Sequence, residues 1–488
     1  MFLLKCAVLL CLLGSIDSLF AIQREVRGTW LTTTANTAIS NPENTEQSMR
    51  RIKEIGLNTV YVESWKNGYT QFPSKVLQRT LGVTQRPPYL LQDPSDVQQS
   101  QSTTSRNLLQ ETLIAAHRQG LIYVAWFEYG FMAAHKSTMN HLRIQKPAWL
   151  SRDRDGNEVA SNGFVWLNPL HPEAQQFLLE LVLEAVDVYD LDGIQLDDRI
   201  VWPDIRMGYD AYTMALYAQE HAGQSPPNNY LDPEWMQWRA DKVTQFAQRF
   251  VQAVRAKRPG LIISLSPAVY PWSWQHHLLA WPQWSVWSTS TLKPKADWDE
   301  FIPQAYRFSY PDFAKTWQQQ IDAMRVYGDS QAAKLVAGIR IVGDGRDSSW
   351  EQLRQSIELT RTNKNAGHVL WYSRGVLDLY PEQLRAFYQD SGAAISPHFP
   401  AGWRQVSIPL LKQNATENAA KIERWQSPKM EVGRYQVIVH DQHGWRYLDQ
   451  VVTISAANKG MVDVLVPAGC SRVELIVDRR QEMQELQR

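Results

Sequence analysis

Short apolar runs alternate with amphipathic segments along most of this chain, and that alternation restricts its fold more than any other feature. Residues 25–33, 57–65, 121–129, 191–196, 261–268, 301–306, 334–341 and 368–373 each read as a strand. Helical spacing fills many of the intervals, at 45–55, 108–119, 172–189, 241–257, 317–327 and 350–363. In residues 172–189, for instance, Phe177, Leu178, Leu181, Val182, Ala185 and Val188 fall on one face. Eight strands alternating with helices predict an α/β fold, a (β/α)8 TIM barrel over residues 22–392. Beyond that the pattern changes. Pro397, Pro400 and Gly402 mark a linker, and residues 434–440, 447–454, 461–466 and 472–477 read as short strands separated by turns such as His443-Gly444 and Lys459-Gly460. A small all-β, immunoglobulin-like sandwich is expected over 393–480, followed by a charged tail at 481–488.

Within the barrel the most informative stretch is Y-D-L-D-G-I-Q-L-D-D-R-I-V-W-P, from Tyr189 to Pro203. A helix feeds an apolar strand, and the strand ends in two adjacent carboxylates, Asp197 and Asp198. Catalytic groups of such barrels sit where strands end. Strand side chains alternate, so Gln195 and Asp197 share one face. A polar Gln195 one step below an acid suggests that this face lines a wet pocket. The competing reading is a helix cap, a common role for Asp at the start of a βα loop.

Composition narrows the partners. Formal net charge is zero, so neither nucleic acid nor an anionic membrane surface is favoured. The chain carries 20 Trp and 19 Tyr, residues that suit sugar clefts but also fill cores. The N-terminus has one Lys before an apolar run and small residues after it. That reads as a secretory signal at 1–21, with an uncleaved anchor as the alternative. The apolar run is shorter than the ~20 residues a bilayer needs, so no stable span is expected in the mature chain. Two of the three cysteines fall in the signal, leaving Cys470 and no internal disulfide. An exported protein of the periplasm or cell envelope is therefore expected.

Several pieces in order, R-E-V-R-G-T-W-L, L-N-T-V-Y-V-E-S-W with F-P-S-K, Y-V-A-W-F, W-L-N-P-L-H-P-E, D-G-I-Q-L-D-D and P-Q-A-Y, resemble the glycosyl-hydrolase-like 10 family over about residues 24–390. These are bacterial envelope barrels, and the family includes a glycosidase of denuded peptidoglycan strands. The resemblance implies a polysaccharide substrate of alternating N-acetylglucosamine and N-acetylmuramic acid. Asp197, Asp198 and Arg27 match the family pattern. Glu63 stands where the family often has Gln, Glu128 where it often has Asn, and Arg199 where an aromatic residue is usual.

Glycoside hydrolysis needs an acid for the leaving oxygen and a group that stabilises the oxocarbenium-like centre. Two mechanisms fit. In one, the substrate's own acetamido oxygen is the nucleophile, Asp197 orients the amide and Asp198 is the acid; consecutive Asp residues after the fourth strand are similar to families using that route. Like charges so close should raise one pKa. In the other, Asp197 pairs with Glu63 or Glu128, each at a strand end; both could equally bind hydroxyls or partner Arg27. Arg27 itself reads as a structural ion pair, with Glu63 or Asp197 as candidate partners, or as a substrate contact. Candidate substrate-binding residues are Arg27, Trp65, Tyr69, Trp126, Gln195, Trp202, Tyr270, Gln304, Tyr306 and Trp371, each of which singly could be core. His135, His141, His276 and His277 have no carboxylate at ligand spacing, so neither metal nor cofactor is expected. The acidic run S-R-D-R-D-G-N-E reads as a turn at Asp155-Gly156 rather than a calcium loop. The competing classes are a glycan-binding protein without turnover and a two-carboxylate glycosidase of another polysaccharide.

Overall fold

The computed structural model describes residues 23–87, 106–289, 297–398, 407–413, 422–442, 444–455, 457 and 460–478. The expected signal, the Gln/Ser/Thr-rich patch before Arg106, part of the linker and the charged tail lie outside the described residues. Eight parallel strands form one sheet: β1 (Val26–Leu31), β2 (Thr59–Glu63), β3 (Ile122–Phe127), β4 (Gly193–Leu196), β5 (Ile262–Leu265), β6 (Glu300–Phe301), β7 (Val336–Arg340) and β8 (Gly367–Trp371). Their spatial order is 6-5-4-3-2-1-8-7, and parallel bridges Phe301–Leu335 and Gln304–Gly338 join β6 to β7 and close the barrel. It is a TIM barrel, as the alternation predicts.

Several of the surrounding helices begin at polar side-chain caps. Helix α1 (Pro42–Ile55) starts with Pro42 behind Asn41, whose side chain accepts from the Asn44 amide. It begins before the expected Thr45, because a Pro at the first position lacks an N–H that would have had no partner anyway. Next come α2 (Leu108–Arg118), α3 (Pro172–Val188) and α4 (Pro233–Lys257). Then follow α5 (Tyr310–Arg325), α6 (Trp350–Thr362) and α7 (Pro381–Asp390). Helices α4 and α5 both begin earlier than the apolar spacing suggests, at caps Asp232 and Ser309 followed by proline. One link departs from the pattern. Between β5 and β6 lie a short helix, Trp272–His277, and a 3-10 stretch, Trp281–Thr289. Buried Trp281 stacks on Phe301 at 5.6 Å and Trp284 on Trp298 at 6.0 Å, so indole rings take the packing role of a long helix.

Four aspartates in the fourth-strand region divide by position. At its start Asp192 accepts from the Tyr123 amide at 2.8 Å and contacts His117 at 2.9 Å, both fully buried, which ties β4 to β3 and α2. Asp190 accepts from Gln436 of the C-terminal module at 3.3 Å. Asp197 and Asp198 stand past the other end of the strand.

The C-terminal module is a sandwich of a four-stranded and a three-stranded antiparallel sheet. Besides the expected strands it contains Ser407–Pro409, Leu411–Lys412 and Ile422–Gln426, too short or too polar to stand out in sequence. It docks near the barrel's N-terminal rim. Arg118 at the end of α2 makes a paired contact with Glu474 at 2.8 and 2.9 Å, lies 4.1 Å from the Trp445 ring, and sits beside an apolar cluster of Ile114, Ile438 and Ile476. The opposite mouth of the barrel is thereby left uncovered by these contacts.

The barrel floor holds a pH-sensitive tie. Buried Glu300 accepts from Tyr61 at 2.7 Å and pairs with His398, just past the barrel, at 2.7 Å. Burial alone would push the His398 imidazole down, but the Glu300 carboxylate outweighs it and holds its pKa above the ordinary value. The pair's stabilisation is thus full below the unfolded histidine pKa of ~6.5 and is lost as pH rises through the higher folded value. Thermal melts of wild type and His398→Gln should differ most below pH ~6.5 and converge in alkali; a gap that widens with pH would contradict the assignment.

Candidate active site

The mouth is built from the ends of β2, β3 and β4 and the loops that follow. Gly130, at φ +45°, turns the chain after β3 so tightly that an added Cβ would lie 2.4 Å from the Arg199 carbonyl oxygen. The same carbonyl accepts from the Phe131 amide at 2.8 Å. This close approach sets Glu128 beside the loop that carries Asp197, Asp198 and Arg199.

These residues form one ionic network. Lys66 reaches Glu63 at 3.0 Å and Glu128 at 3.2 Å. Arg199 reaches Asp197 at 2.7 Å, Glu128 at 3.6 Å and Asp198 at 3.7 Å. Four carboxylates therefore surround two cations. Gln304, past β6, donates to Asp197 at 2.7 Å from the far side.

The acids differ in environment. Glu63 accepts from the Thr33 amide at 3.1 Å, from Gln71 at 3.2 Å, and from the Thr33 hydroxyl. Burial would raise its pKa, but Lys66 and the Thr33 hydrogen bonds hold it below the usual carboxylate range. With its oxygens engaged and its side chain fully buried, it acts as a structural anchor of the network. Glu128 goes the other way. Burial and the nearby Glu63 charge raise it, against the pull of Lys66 and Arg199. Asp197 is 3% exposed, and burial together with Asp198 raises it well above normal despite Arg199. Asp198 keeps 29% of its side chain exposed, and its Oδ1 has no hydrogen-bond partner. The pair thus consists of an inner, buried carboxyl with a raised pKa and an outer one that is partly exposed.

An aromatic wall adjoins the acids. Trp30 packs with Trp126, Tyr306 and Trp371 at ring separations of 6.4, 6.4 and 5.8 Å, and Tyr306 stacks on Trp371 at 5.8 Å. Burial and the charges of Asp197 and Asp198 push the Tyr306 phenol well up, placing that ring next to the acid pair. Trp126 Nε1, Ser266 Oγ and Ser373 Oγ, at the ends of β3, β5 and β8, are buried without a hydrogen-bond partner. Such groups are costly to leave unpaired, and a hydroxylated ligand would satisfy them.

Other candidates lie elsewhere. Arg27 sits on the opposite face of β1 from Trp30, because strand parity separates them. It pairs with Glu25, donates to the Gly392 carbonyl at 3.0 Å and lies over the Tyr388 ring at 4.7 Å. It is therefore a structural ion pair at the barrel's N-terminal end, with neither Glu63 nor Asp197 as partner. Gln195 is fully buried and its amide is used on both sides, by Trp30 at 2.8 Å and Ser264 at 2.9 Å; the face beneath Asp197 is a closed polar layer instead of a wet pocket. Trp65 and Trp202 are fully buried, donating to the carbonyls of Gly130 at 3.1 Å and Met207 at 2.9 Å. Tyr69 packs on His141 at 4.3 Å in the hairpin after β2. The Tyr270 backbone is clamped by Gln320 at 2.8 and 2.9 Å. The acidic run closes as a turn around Asp153, whose side chain accepts from the Asp155 and Asn157 amides. Sequence reasoning passed over Lys66 and Trp30. Trp30 was recoverable from parity, since only one of Arg27 and Trp30 can face the interior.

Comparison with known proteins agrees with this architecture. The PgaB (BpsB) glycoside hydrolase domain from Bordetella bronchiseptica superposes with a TM-score of 0.50, covering 75% of this chain and 98% of that one. At 14% identity that likeness shows the fold alone. Glycosyl hydrolase DigH of Escherichia coli (strain K12) is 25% identical over 323 residues, 60% of this chain and 63% of that protein. Glycosyl hydrolase YngK of Bacillus subtilis (strain 168) is 25% identical over 261 residues, 50% of this chain and 45% of that protein. The chain thus spans less than two thirds of the length of either relative. The model of the glycosyl hydrolase-like 10 family matches residues 25–342, across the strands and loops that hold the acid network. The chain belongs to the glycosyl hydrolase-like 10 family.

Proposed function

We propose that this protein is an exported glycoside hydrolase of the cell envelope that cleaves an N-acetylated glycan, with peptide-free peptidoglycan strands as the substrate. The observation that carries the reading is the asymmetric pair Asp197 and Asp198, one buried with a raised pKa, the other with 29% of its side chain exposed, both beside Arg199. Two adjacent carboxyls that cannot both ionise cheaply share a proton. In the resting site burial keeps it on Asp197. When it passes to Asp198, the outer carboxyl can protonate the glycosidic oxygen. Asp197, now ionised and held by Arg199 and Gln304, accepts the acetamide N–H and aligns its carbonyl oxygen for attack on the anomeric carbon. The glycosidic C–O bond breaks as the C–O bond of the cyclised acetamide forms, and water later opens that ring. Half-buried Tyr306 and Trp371, stacked on each other and backed by buried Trp30 and Trp126, offer an apolar surface for the sugar ring. Glu128, also raised and bridged to Asp197 through Arg199, is the partner a two-carboxylate mechanism would use.

Incubation with peptide-stripped peptidoglycan glycan should release new reducing ends. A thiazoline mimic of the cyclised acetamide should inhibit. Retention of glycan without any new ends would replace the enzyme by a binding protein, and cleavage indifferent to the thiazoline would move the nucleophile to a protein carboxylate.

A further inference from the structure

We propose that Trp272 is the platform for a second sugar unit, adjoining the unit held at Asp197 and Asp198, so that the protein grips a polysaccharide strand instead of a terminal sugar alone. This deepens, and rests on, the glycosidase reading above. Buried tryptophans such as Trp30, Trp126, Trp202, Trp281 and Trp298 make up much of the core, whereas Trp272 is 45% exposed. It opens the short helix Trp272–His277, past β5 on the mouth side of the barrel. Its ring stacks on His276 at 4.6 Å and 28°, and lies 5.1 Å from the His277 ring, so the imidazoles support one side and the indole remains half open to solvent.

The platform is held in register with the acids. The Trp202 amide donates to the His277 carbonyl at 3.2 Å and the Ile205 amide to that of His276 at 2.9 Å. His277 Nδ1 meets the Trp202 carbonyl at 3.0 Å. These bonds fasten the loop that begins at Asp198 to the helix that carries Trp272. The Asp198 charge acts on His277, which places the acid within electrostatic reach of the helix. A pyranose packed on the indole would therefore rest on an element hydrogen-bonded to the loop that begins at Asp198. Aromatic faces suit this role because they bury the apolar face of a sugar at little entropic cost.

The test compares short and long peptide-free glycan oligosaccharides with the full chain. The wild type should prefer the long substrate, and Trp272→Ala should lower the ratio of long to short kcat/KM about tenfold, ~1.4 kcal/mol. Trp272→Tyr should restore most of that ratio. Leu411→Ala, an exposed side chain of the C-terminal module, should leave it unchanged. A wild type without length preference, or a Trp272→Ala ratio equal to wild type, overturns the platform. If the wild type cleaves neither substrate, the glycosidase reading fails separately. Retention of the long strand then decides: Trp272→Ala must weaken it about tenfold, or the platform falls as well.

Discussion

Asp198→Asn is expected to cut glycan cleavage about a thousandfold while leaving glycan retention nearly intact. A positioned general acid contributes ~10²–10⁴ in rate, and Asn keeps the shape of Asp without a proton to give. Asp198 is the outer member of the pair, with 29% of its side chain exposed, and Arg199 keeps Asp197 and Glu128 as partners when Asp198 becomes an amide. The pH profile gives a second readout. The proton needed for the acid step resides on the pair, and burial raises Asp197 well above the usual range. Wild-type rate should fall as pH rises through that raised value, because the shared proton is then lost. Asp197→Asn should erase that limb and lower turnover, since an amide cannot take the proton or accept the acetamide N–H in the same way. Retained activity in Asp198→Asn, with Glu128→Gln inactive, would transfer the acid role to Glu128.

Lys66→Met should be the most destabilising single change in the site, costing ~3–5 kcal/mol as expected when one member of a buried ionic group is removed. Lys66 is 14% exposed at the side chain and stands between Glu63 and Glu128, exposed 0% and 9%. Its ammonium is held protonated by those carboxylates against the effect of burial. Without it, both carboxyls face burial with less compensation, and their folded-state pKa values rise. A carboxyl raised on folding contributes stability that is full below its unfolded pKa of ~4.3 and lost as pH climbs through the folded value. The deficit of Lys66→Met should therefore shrink on acidification, measured by denaturant melts at neutral and mildly acidic pH. A deficit independent of pH would mean that Lys66 works by packing instead of charge.

How far the site could be read from the chain depends on the distance over which each feature is specified. Asp197 and Asp198 follow an apolar strand directly, so local pattern alone placed them past a strand end. Gln304 and Tyr306 follow β6 in the same way, and the structure brings Gln304 to Asp197 and Tyr306 to the acid pair. Arg27 was placed too close to the site because its strand assignment was right but its face was not: a polar residue within an apolar strand is equally compatible with the interior and with the helix layer. Trp65 and Trp202 also stand at strand ends, yet both indoles turn into the core, where carbonyl acceptors take their N–H groups. No local pattern distinguishes those rings from Trp272, which is open. Helix starts were misplaced at Asn41, Asp232 and Ser309, where cap chemistry and proline extend a helix beyond its apolar face.

The amino-acid order alone determined the alternation of strand and helix, the barrel that follows from it, the β-rich module behind it, and the adjacent carboxylates after the fourth strand. These depend on periodicities and turn residues that act within one element, so they survive without knowledge of neighbours. Tertiary structure alone decided which carboxyl is buried and which is open, that Lys66 and Arg199 bind four acids into one network, and that Glu63 is an anchor. Those outcomes arise from charges brought together across several strands, and burial, the term that sets their proton affinities, exists only once the barrel has closed.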